Sequence, residues 1–576
     1  MLKQLRLRRF KRFDGGEQTV DLDSPVMLLA GPNNSGKTTV LQAMGVWSLA
    51  LRRWLEERGR RSAKKRVSIT LDELTALPLR EANLLWLDRR PSVYQAGRKS
   101  PASAPIAIEL SGETAAGRWA LAMELLYANS KMVHVRPVSF DHPTKDTPEV
   151  PDGAAEMRIV HVPAFSGIET EEPRRDPGLQ DRLIGQGRPG EVLRNLLWEV
   201  FQQGGQEAWQ SLVRDVERLF FYELLEPTYD AGRPFILCEY RPRPGDRSHA
   251  PLDIASGGSG FHQVLLLLAF FYARPASVLL LDEPDAHLHY VLQREILDHL
   301  RAVAGRRGCQ LVVSTHSEVL LQDAQPTEVV SFAGAAPRRL VMHRDVTTLQ
   351  TVLRRLTSLD LLRAQTRDGV LYVEDQSDAK LLRQWAEVLQ HPARCFLADP
   401  FVYPMGGSGR LGDVKQHFSA LREVHADFRG LCILDRDEYS GPEAQDLPAG
   451  FRLLRWRRRE IENYLIHREA LLRYLEEPHR NEPLFASLFA EKDQGVIDEE
   501  FTRQGLRDAD PLDDRILALL DSKGSAFLVE LLQRTSRRTN KRDLYLVAGV
   551  MRPEEVHPDV RAMLDEIARW LIVRGS

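Results

Sequence analysis

Short apolar runs that end abruptly on polar residues recur along this chain. Val26-Met27-Leu28-Leu29-Ala30 runs into a glycine-rich turn, Val278-Leu279-Leu280-Leu281 into Asp282-Glu283-Pro284, and Leu311-Val312-Val313 into Ser314-Thr315-His316. Val370-Leu371-Tyr372-Val373 runs into Glu374, and Leu431-Cys432-Ile433-Leu434 into Asp435. Such runs predict central strands of parallel sheets, buried on both faces, with polar residues at the carboxyl edge where ligands bind. Elsewhere the apolar spacing changes to three or four, predicting helices over 39–44, 193–201, 209–220, 264–272 and about 288–305. Segments 106–110 and 132–137 alternate, as strands of an antiparallel sheet do. The pattern predicts an α/β chain. A first domain is expected over 1–345, with mixed sheets and a helical insertion within about 170–235 that is a candidate dimerising element. A linker helix over 346–366 leads to a Rossmann-like domain over 367–576 with a helical C-terminal extension.

The chain has 576 residues, too many for one core. Its 43% hydrophobic and 28% charged content is that of a water-soluble globular protein. A net charge of -3 excludes a strongly basic protein but leaves room for local basic patches, such as the arginine- and lysine-rich segment 52–66. Cys238, Cys309, Cys395 and Cys432 lie far apart with no C-x-x-C pair. We therefore expect buried free thiols in a reducing compartment. The longest apolar run, 264–272, is too short to span a bilayer, so a cytoplasmic protein with no membrane association is expected.

The turn Gly31-Pro32-Asn33-Asn34-Ser35-Gly36-Lys37-Thr38 fits the phosphate-loop pattern G-x-x-x-x-G-K-[ST] in full, with a strand before it and a helix opening at Thr39 after it. Its backbone amides and the helix N-terminus suit phosphate oxygens. Lys37 would reach the β- and γ-phosphates and Thr38 would hold Mg²⁺, which implies a nucleoside triphosphate. Asp282, at a strand end, would contact the same ion, Glu283 would polarise the attacking water, and His316 would bond the γ-phosphate. Ser256 and Gly258, in a glycine turn before an apolar helix, would form a second anion site.

This ordered set resembles an ABC-type ATPase: phosphate loop, S-G-G signature, L-L-L-D-E-P strand, then S-T-H. The run Asp282-Glu283-Pro284-Asp285-Ala286-His287-Leu288-His289 is similar to the form in SMC-, RecF- and OLD-like members. The resemblance implies that Ser256 and Gly258 act on ATP held by another copy, so that the heads form a dimer or higher oligomer. No long heptad stretch is present, so the long arms of SMC proteins are not expected.

In the second half, Glu374 and Asp435 end two predicted parallel strands, with Asp378 and Asp437 close behind. Carboxylates converging on one sheet edge suit divalent ions, and two such ions can activate water against a phosphodiester. The pattern resembles a TOPRIM domain, V-E-G-x-x-D then D-x-D, except that Asp375 stands where glycine is usual. On that resemblance Glu374, Asp435 and Asp437 hold Mg²⁺ or Mn²⁺, and Asp378 occupies a weaker acidic position. Arg457-Arg458-Arg459-Glu460-Ile461-Glu462-Asn463-Tyr464-Leu465 is similar to an element of OLD-like TOPRIM proteins. It offers Glu462, or Glu460, to a second metal and arginines to a phosphate backbone. The late lysine of that family is assigned to Lys523, with Lys541 as the rival.

An ATPase head followed by a TOPRIM domain resembles the OLD family of ATP-dependent nucleases, and its Gabija-type members in particular. The resemblance implies metal-dependent cleavage of nucleic acid, DNA first, in defence against phage, with a helicase-like partner protein. The E-I-E-N-Y-L element also resembles the TOPRIM effectors of PARIS-type defence, which cut tRNA. A non-catalytic ATP-driven clamp is the alternative of another class.

Overall fold

The computed structural model describes the chain apart from residues 14–15, 62–65, 75–76, 78, 94–100, 116, 142–146, 231, 246, 335, 407–410, 437–446, 478–482, 508, 514–522 and 573–576, and the side chains of 230, 233, 358, 361, 365 and 483–488. Two compact units make it up, Met1–Arg354 and Arg355–Ser576.

In the first unit two sheets enclose one long helix. The mainly parallel sheet has the strand order Ile159–Val162, Val278–Asp282, Gln310–Thr315, Val26–Ala30, Val329–Ser331, with Arg338–Arg339 antiparallel at its edge. Its three central strands are buried at every residue, which is why they read as unbroken apolar runs. The other sheet is antiparallel, in the order Gln18–Asp21, Leu2–Arg8, Ile106–Thr114, Gly117–Asn129, Met132–Val138, Val67–Thr70. Helix Lys37–Arg58 packs against both. Val40, Met44, Trp47 and Trp54 share one core cluster with Leu5, Ile108 and Leu121 of the antiparallel sheet and Met27, Leu280 and Val312 of the parallel one. A helix covered on two sides needs apolar residues around its circumference, and this one has them.

Helices Pro177–Gly185, Leu193–Gln202 and Gly205–Phe220 fill the stretch expected to be helical, and the last two pack on helix Ser259–Ala273. The helix expected over 288–305 runs instead from Tyr290 to Arg307, closed by Gly308 in the left-handed region at φ 63. The expected single linker helix is two helices, His343–Arg355 and Ser358–Thr366. Thr357 and Asp360 form a capping box, each accepting the other's backbone N–H, and so start a new helix. Cys238, Cys309 and Cys432 are buried as expected, but Cys395, on the four-residue helix Arg394–Leu397, is exposed.

The second unit is built on a four-stranded parallel sheet, in the order Val402–Pro404, Gly369–Val373, Arg429–Leu434, Phe451–Arg455. Helices Gln376–Val388, Arg468–Glu476, Gly524–Gln533 and Pro558–Leu571 bury Trp385, Leu471, Leu528 and Ile567 in its core. Among the described residues no helix is long and apolar enough to cross a membrane.

Candidate functional site

The phosphate loop joins strand Val26–Ala30 to helix Lys37–Arg58. At Gly31 a Cβ would lie 2.8 Å from the Cβ of Phe332, so only glycine fits. Gly36, at φ 107, is the helix N-cap, and Asn34 is also left-handed at φ 60. Asn33 lies beside it in the turn, and Thr39 in the first helical turn. Ser35 Oγ is buried without a hydrogen-bonding partner, an orphan hydroxyl that suits a phosphate oxygen. Lys37 is 3% exposed, and its Nζ donates to Gly31 O at 2.8 Å and Pro32 O at 2.7 Å, which holds the ammonium over the loop.

Parallel pairing aligns Asp282 with Ser314 on the neighbouring strand. Asp282 Oδ1 accepts from Ser314 Oγ at 2.5 Å and from Thr38 Oγ1 at 2.9 Å. Glu283 follows in the left-handed region at φ 49, a strained position for a side chain of this kind. Its N–H donates to Ser314 O and Oγ, both at 3.1 Å, and Gln263 Nε2 donates to Glu283 O and Pro284 O. The Glu283 carboxylate lies 3.5 Å from His316 Nδ1. Their pairing holds Glu283 below the usual carboxylate range and raises His316. Asp285 is buried, which pushes its carboxyl up to about 6, and its Oδ1 has no hydrogen-bonding partner. A cavity of about 390 Å³ opens here, lined among others by Asp285, His287, Gln293 and His316. Ser256 ends the turn Ile254–Ser256, and Gly258 caps helix Ser259–Ala273 with open space where a Cβ would lie.

Sequence reading passed over Ser314 and Gln263. Ser314 stands in the S-T-H run, but its bond to Asp282 depends on the pairing of two strands distant in sequence. Nothing in an apolar helix signals that Gln263 reaches the backbone of another motif. Several arginines of the basic segment 52–66 have acidic partners. Arg53 pairs with Glu56 and Glu73, Arg60 with Asp152, and Arg66 lies 4.0 Å from Glu124.

In the second unit, Glu374 and Asp435 follow adjacent parallel strands. Glu374 Oε1 accepts the backbone N–H of Asp435 at 2.8 Å. Asp435 Oδ1 accepts from Ile461 N at 3.0 Å, at the start of the turn Ile461–Leu465 that carries Glu462. Asp378 lies in the first turn of helix Gln376–Val388, its Oδ2 accepting Asp375 N at 3.0 Å. Burial and the neighbouring carboxylates push Asp435 up to about 9 and Asp378 up to about 7, and burial also raises Glu462. Carboxyl groups that repel one another in a dry site form a donor set suited to a hard divalent ion. Glu462 is 1% exposed, and its Oε1 has no hydrogen-bonding partner of good geometry. Among the described residues no three such side chains are gathered closely enough to ligate one ion. Asp437 lies outside the described residues, as does most of the glycine turn after Val402–Pro404.

Glu460 is engaged elsewhere, since its Oε2 accepts from Ser525 N and Oγ at 3.0 and 2.7 Å. Of the two lysines, Lys541 Nζ lies 3.4 Å from Glu462 Oε1, while Lys523 faces Glu460 at 4.0 Å with a largely exposed side chain. Lys541, held as the rival, is thus the lysine against the carboxylate cluster. Asp375 is the N-cap of helix Gln376–Val388 at φ -130, a backbone conformation that needs no glycine.

Residues 239–322 match the family described as "AAA domain, putative AbiEii toxin, Type IV TA system", and residues 4–73 match one described as "AAA domain". The two spans hold the phosphate loop, the glycine turn, the acidic strand and His316. The phosphonates import ATP-binding protein PhnC of Bacillus cereus is 26% identical over 172 residues, 30% of this chain and 61% of its own. That of Bacillus anthracis is 25% identical over 169 residues, 29% of this chain and 60% of its own. The chain thus spans about three fifths of the length of these relatives. Two solved structures are similar at low TM-scores. The SMC head bound to the C-winged helix domain of ScpA has TM-score 0.33 and 13% identity, with 57% of this chain and 93% of that one covered. The SMC head domain from Thermotoga maritima has TM-score 0.30 and 17% identity, with 57% and 94% covered. The first unit is an ATP-binding ATPase domain of the AAA/ABC type.

Proposed function

We propose that this chain is an ATP-regulated, metal-dependent nuclease of the OLD family and Gabija type, which cleaves nucleic acid, DNA first, in defence against phage. One observation carries the reading. Glu374, Asp378, Asp435 and Glu462 are brought to one sheet edge, burial raises the last three, and neighbouring carboxylates raise Asp378 and Asp435 further. A fold keeps such an arrangement when a divalent cation neutralises it.

Glu374 and Asp435, joined by one hydrogen bond, would hold Mg²⁺ or Mn²⁺, with Glu462, Asp437 and Asp378 as the further acidic positions. When bound, the ion lowers the pKa of a water and stabilises the leaving oxygen of a phosphodiester. Lys541 stands beside Glu462, where its ammonium would offset charge on the scissile phosphate. Arg457 and Arg459 offer contacts to the flanking backbone. In the ATPase unit Lys37 would grip the phosphates, Asp282 and Thr38 would hold the ion, Glu283 would draw the proton from water, and His316 would orient Glu283. Two copies would close on ATP, with Ser256 and Gly258 of one copy facing the phosphate loop of the other.

The test is cleavage of supercoiled plasmid and of bulk tRNA by wild type and Glu374→Ala, with Mg²⁺ or Mn²⁺, with and without ATP. Plasmid nicking by wild type alone supports the reading. Cleavage of tRNA alone moves the substrate to RNA while keeping the centre. Equal cutting by both proteins would remove Glu374 from the chemistry.

A further inference from the structure

Arg194 is almost wholly buried, 2% exposed, as only Arg458 is among the described arginines, and it lies in helix Leu193–Gln202, far in sequence from every motif above. Its guanidinium grips Asp253 with both ends, Nη1 to Oδ2 at 3.0 Å and Nη2 to Oδ1 at 2.7 Å, and Nη2 also donates to Thr170 O. A bidentate pair of this kind fixes direction as well as distance. Asp253 in turn shapes the glycine turn. Its Oδ1 accepts from Ala255 N at 2.8 Å, and its backbone oxygen accepts from Ser256 Oγ at 2.5 Å. His262, one turn into the following helix, bonds Ile254 O through Nε2 at 2.6 Å.

The other side of Arg194 is anchored as firmly. Glu172 accepts from the backbone N–H groups of Arg194 and Asn195 at 2.8 and 2.7 Å and from Asn195 Nδ2 at 2.5 Å. Thr170 and Glu172 belong to the segment that leaves strand Ile159–Val162 at the carboxyl edge of the nucleotide-binding sheet. A run of polar contacts, buried at Glu172 and Arg194 and partly exposed at Asp253 and Ser256, therefore joins that segment to the glycine turn. Arg194 Nε is buried without a hydrogen-bonding partner, so burying this guanidinium is costly, and simple packing of this lobe would be served better by an apolar side chain. What the ion pair adds is a fixed orientation for the glycine turn.

We infer that Arg194 is a positioning residue, which sets Ser256 and the amides at the start of helix Ser259–Ala273 for the γ-phosphate of a nucleotide held by a second copy of the chain. This rests on the proposal that Ser256 and Gly258 act across a dimer. Arg194 touches neither nucleotide nor metal; it acts through Asp253 on turnover and not on nucleotide affinity.

The experiment measures ATP hydrolysis and binding of a fluorescent ATP analogue by wild type, Arg194→Met, Arg194→Lys, Asp253→Asn, Ser256→Arg and Lys37→Ala. Thermal melts select folded variants, and Asp253→Asn preserves shape if Arg194→Met does not fold. The expected result is a fall in kcat of tenfold or more for Arg194→Met and Asp253→Asn, partial recovery in Arg194→Lys, and analogue Kd within twofold of wild type. Mixing Arg194→Met with Lys37→Ala should restore turnover, because one composite site in each mixed dimer is intact. Folded Arg194 and Asp253 variants with wild-type kcat, or a loss that mixing does not rescue, overturn the inference. Wild-type turnover in Ser256→Arg would instead remove the cross-dimer reading beneath it.

Discussion

Thr38 and Asp282 are 244 positions apart and share a hydrogen bond, Thr38 Oγ1 to Asp282 Oδ1 at 2.9 Å. The bond joins the first turn of the phosphate-loop helix to the end of a strand two places away in the sheet. Ser314, on the strand between them, donates to the same oxygen. One carboxylate oxygen thus gathers three motifs, and a small error there would displace all of them.

Asp282→Asn should lower ATP turnover at least a hundredfold, with Thr38→Ala weaker at about tenfold, and both should need more Mg²⁺ for half-maximal rate. The reason is electrostatic: the amide keeps the shape but offers the cation no charge. Phosphate release against Mg²⁺ concentration reads this. An Asp282→Asn protein with wild-type turnover would separate this strand from the chemistry.

Glu283→Gln should hold ATP without hydrolysing it, with kcat down by about 10² to 10⁴, the range general-base loss usually gives. His316→Ala should cost less, about tenfold, because it withdraws only the partner 3.5 Å away that keeps Glu283 ionised. That difference should narrow towards acid pH, because Glu283 without His316 protonates at a higher pH. Single-turnover rates at pH 5.5 and 7.5 decide it, and a parallel fall in both variants would remove the pairing from the mechanism.

Asp375→Ala should lower the stability of the full chain by about 1 kcal/mol, the usual value of an N-cap side chain, and leave nuclease activity within a few-fold of wild type. Asp375→Gly should cost only a few tenths of a kcal/mol, since glycine is tolerated at N-caps. Denaturant melts with parallel plasmid assays check both. Loss of cleavage in Asp375→Gly would show that the side chain serves the metal and not the helix.

The same residue shows what could be read from the chain and what could not. The strands and the phosphate loop were legible because their signals are local: full burial on both faces writes an unbroken apolar run, and the loop needs Gly31 and Gly36 where they stand. Asp375 read as a departure because a template expects glycine, whereas its capping bond to Asp378 is a matter of three-dimensional geometry. Lys523 stood ahead of Lys541 with no local signal to decide between them, because the packing of the C-terminal helices sets which one reaches Glu462. Gln263 and Arg194 gave no signal, since their partners are backbone atoms or a carboxylate on another element. Even the break at Thr357 was written in a capping pair, though the charged helical pattern on either side obscured it.

Lys541→Ala should reduce nucleic-acid cleavage about a hundredfold, the loss typical when a preorganised charge at a transition state is removed, and leave ATP turnover unchanged. Lys523→Ala should cost no more than a few-fold, its ammonium being 4.0 Å from a glutamate already bonded to Ser525. Cleavage and phosphate release measured on the same preparations separate the two roles, and the reverse ranking would return the assignment to Lys523.

The carboxylate cluster makes stability depend on pH in a direction opposite to that of an ordinary paired aspartate. Asp435 and Asp378 are pushed up to about 9 and about 7, by burial first and by neighbouring carboxylates after it. In the unfolded chain both ionise near pH 4. Between those values the folded protein holds protons that the unfolded chain has lost. Stability is therefore fully present below about pH 4 as far as these groups are concerned, and it is lost as pH rises through 7 and towards 9. In chelator the melting temperature should fall by several degrees from pH 6 to pH 9, at roughly 2–4 °C per kcal/mol for a unit of this size. Mn²⁺ should reverse the fall, and more so at high pH, because binding needs the ionised carboxylates that repulsion otherwise disfavours. Asp435→Asn should flatten the slope in chelator and abolish the Mn²⁺ gain. Equal slopes in wild type and Asp435→Asn would mean that the charge at this sheet edge is not what the fold is opposing.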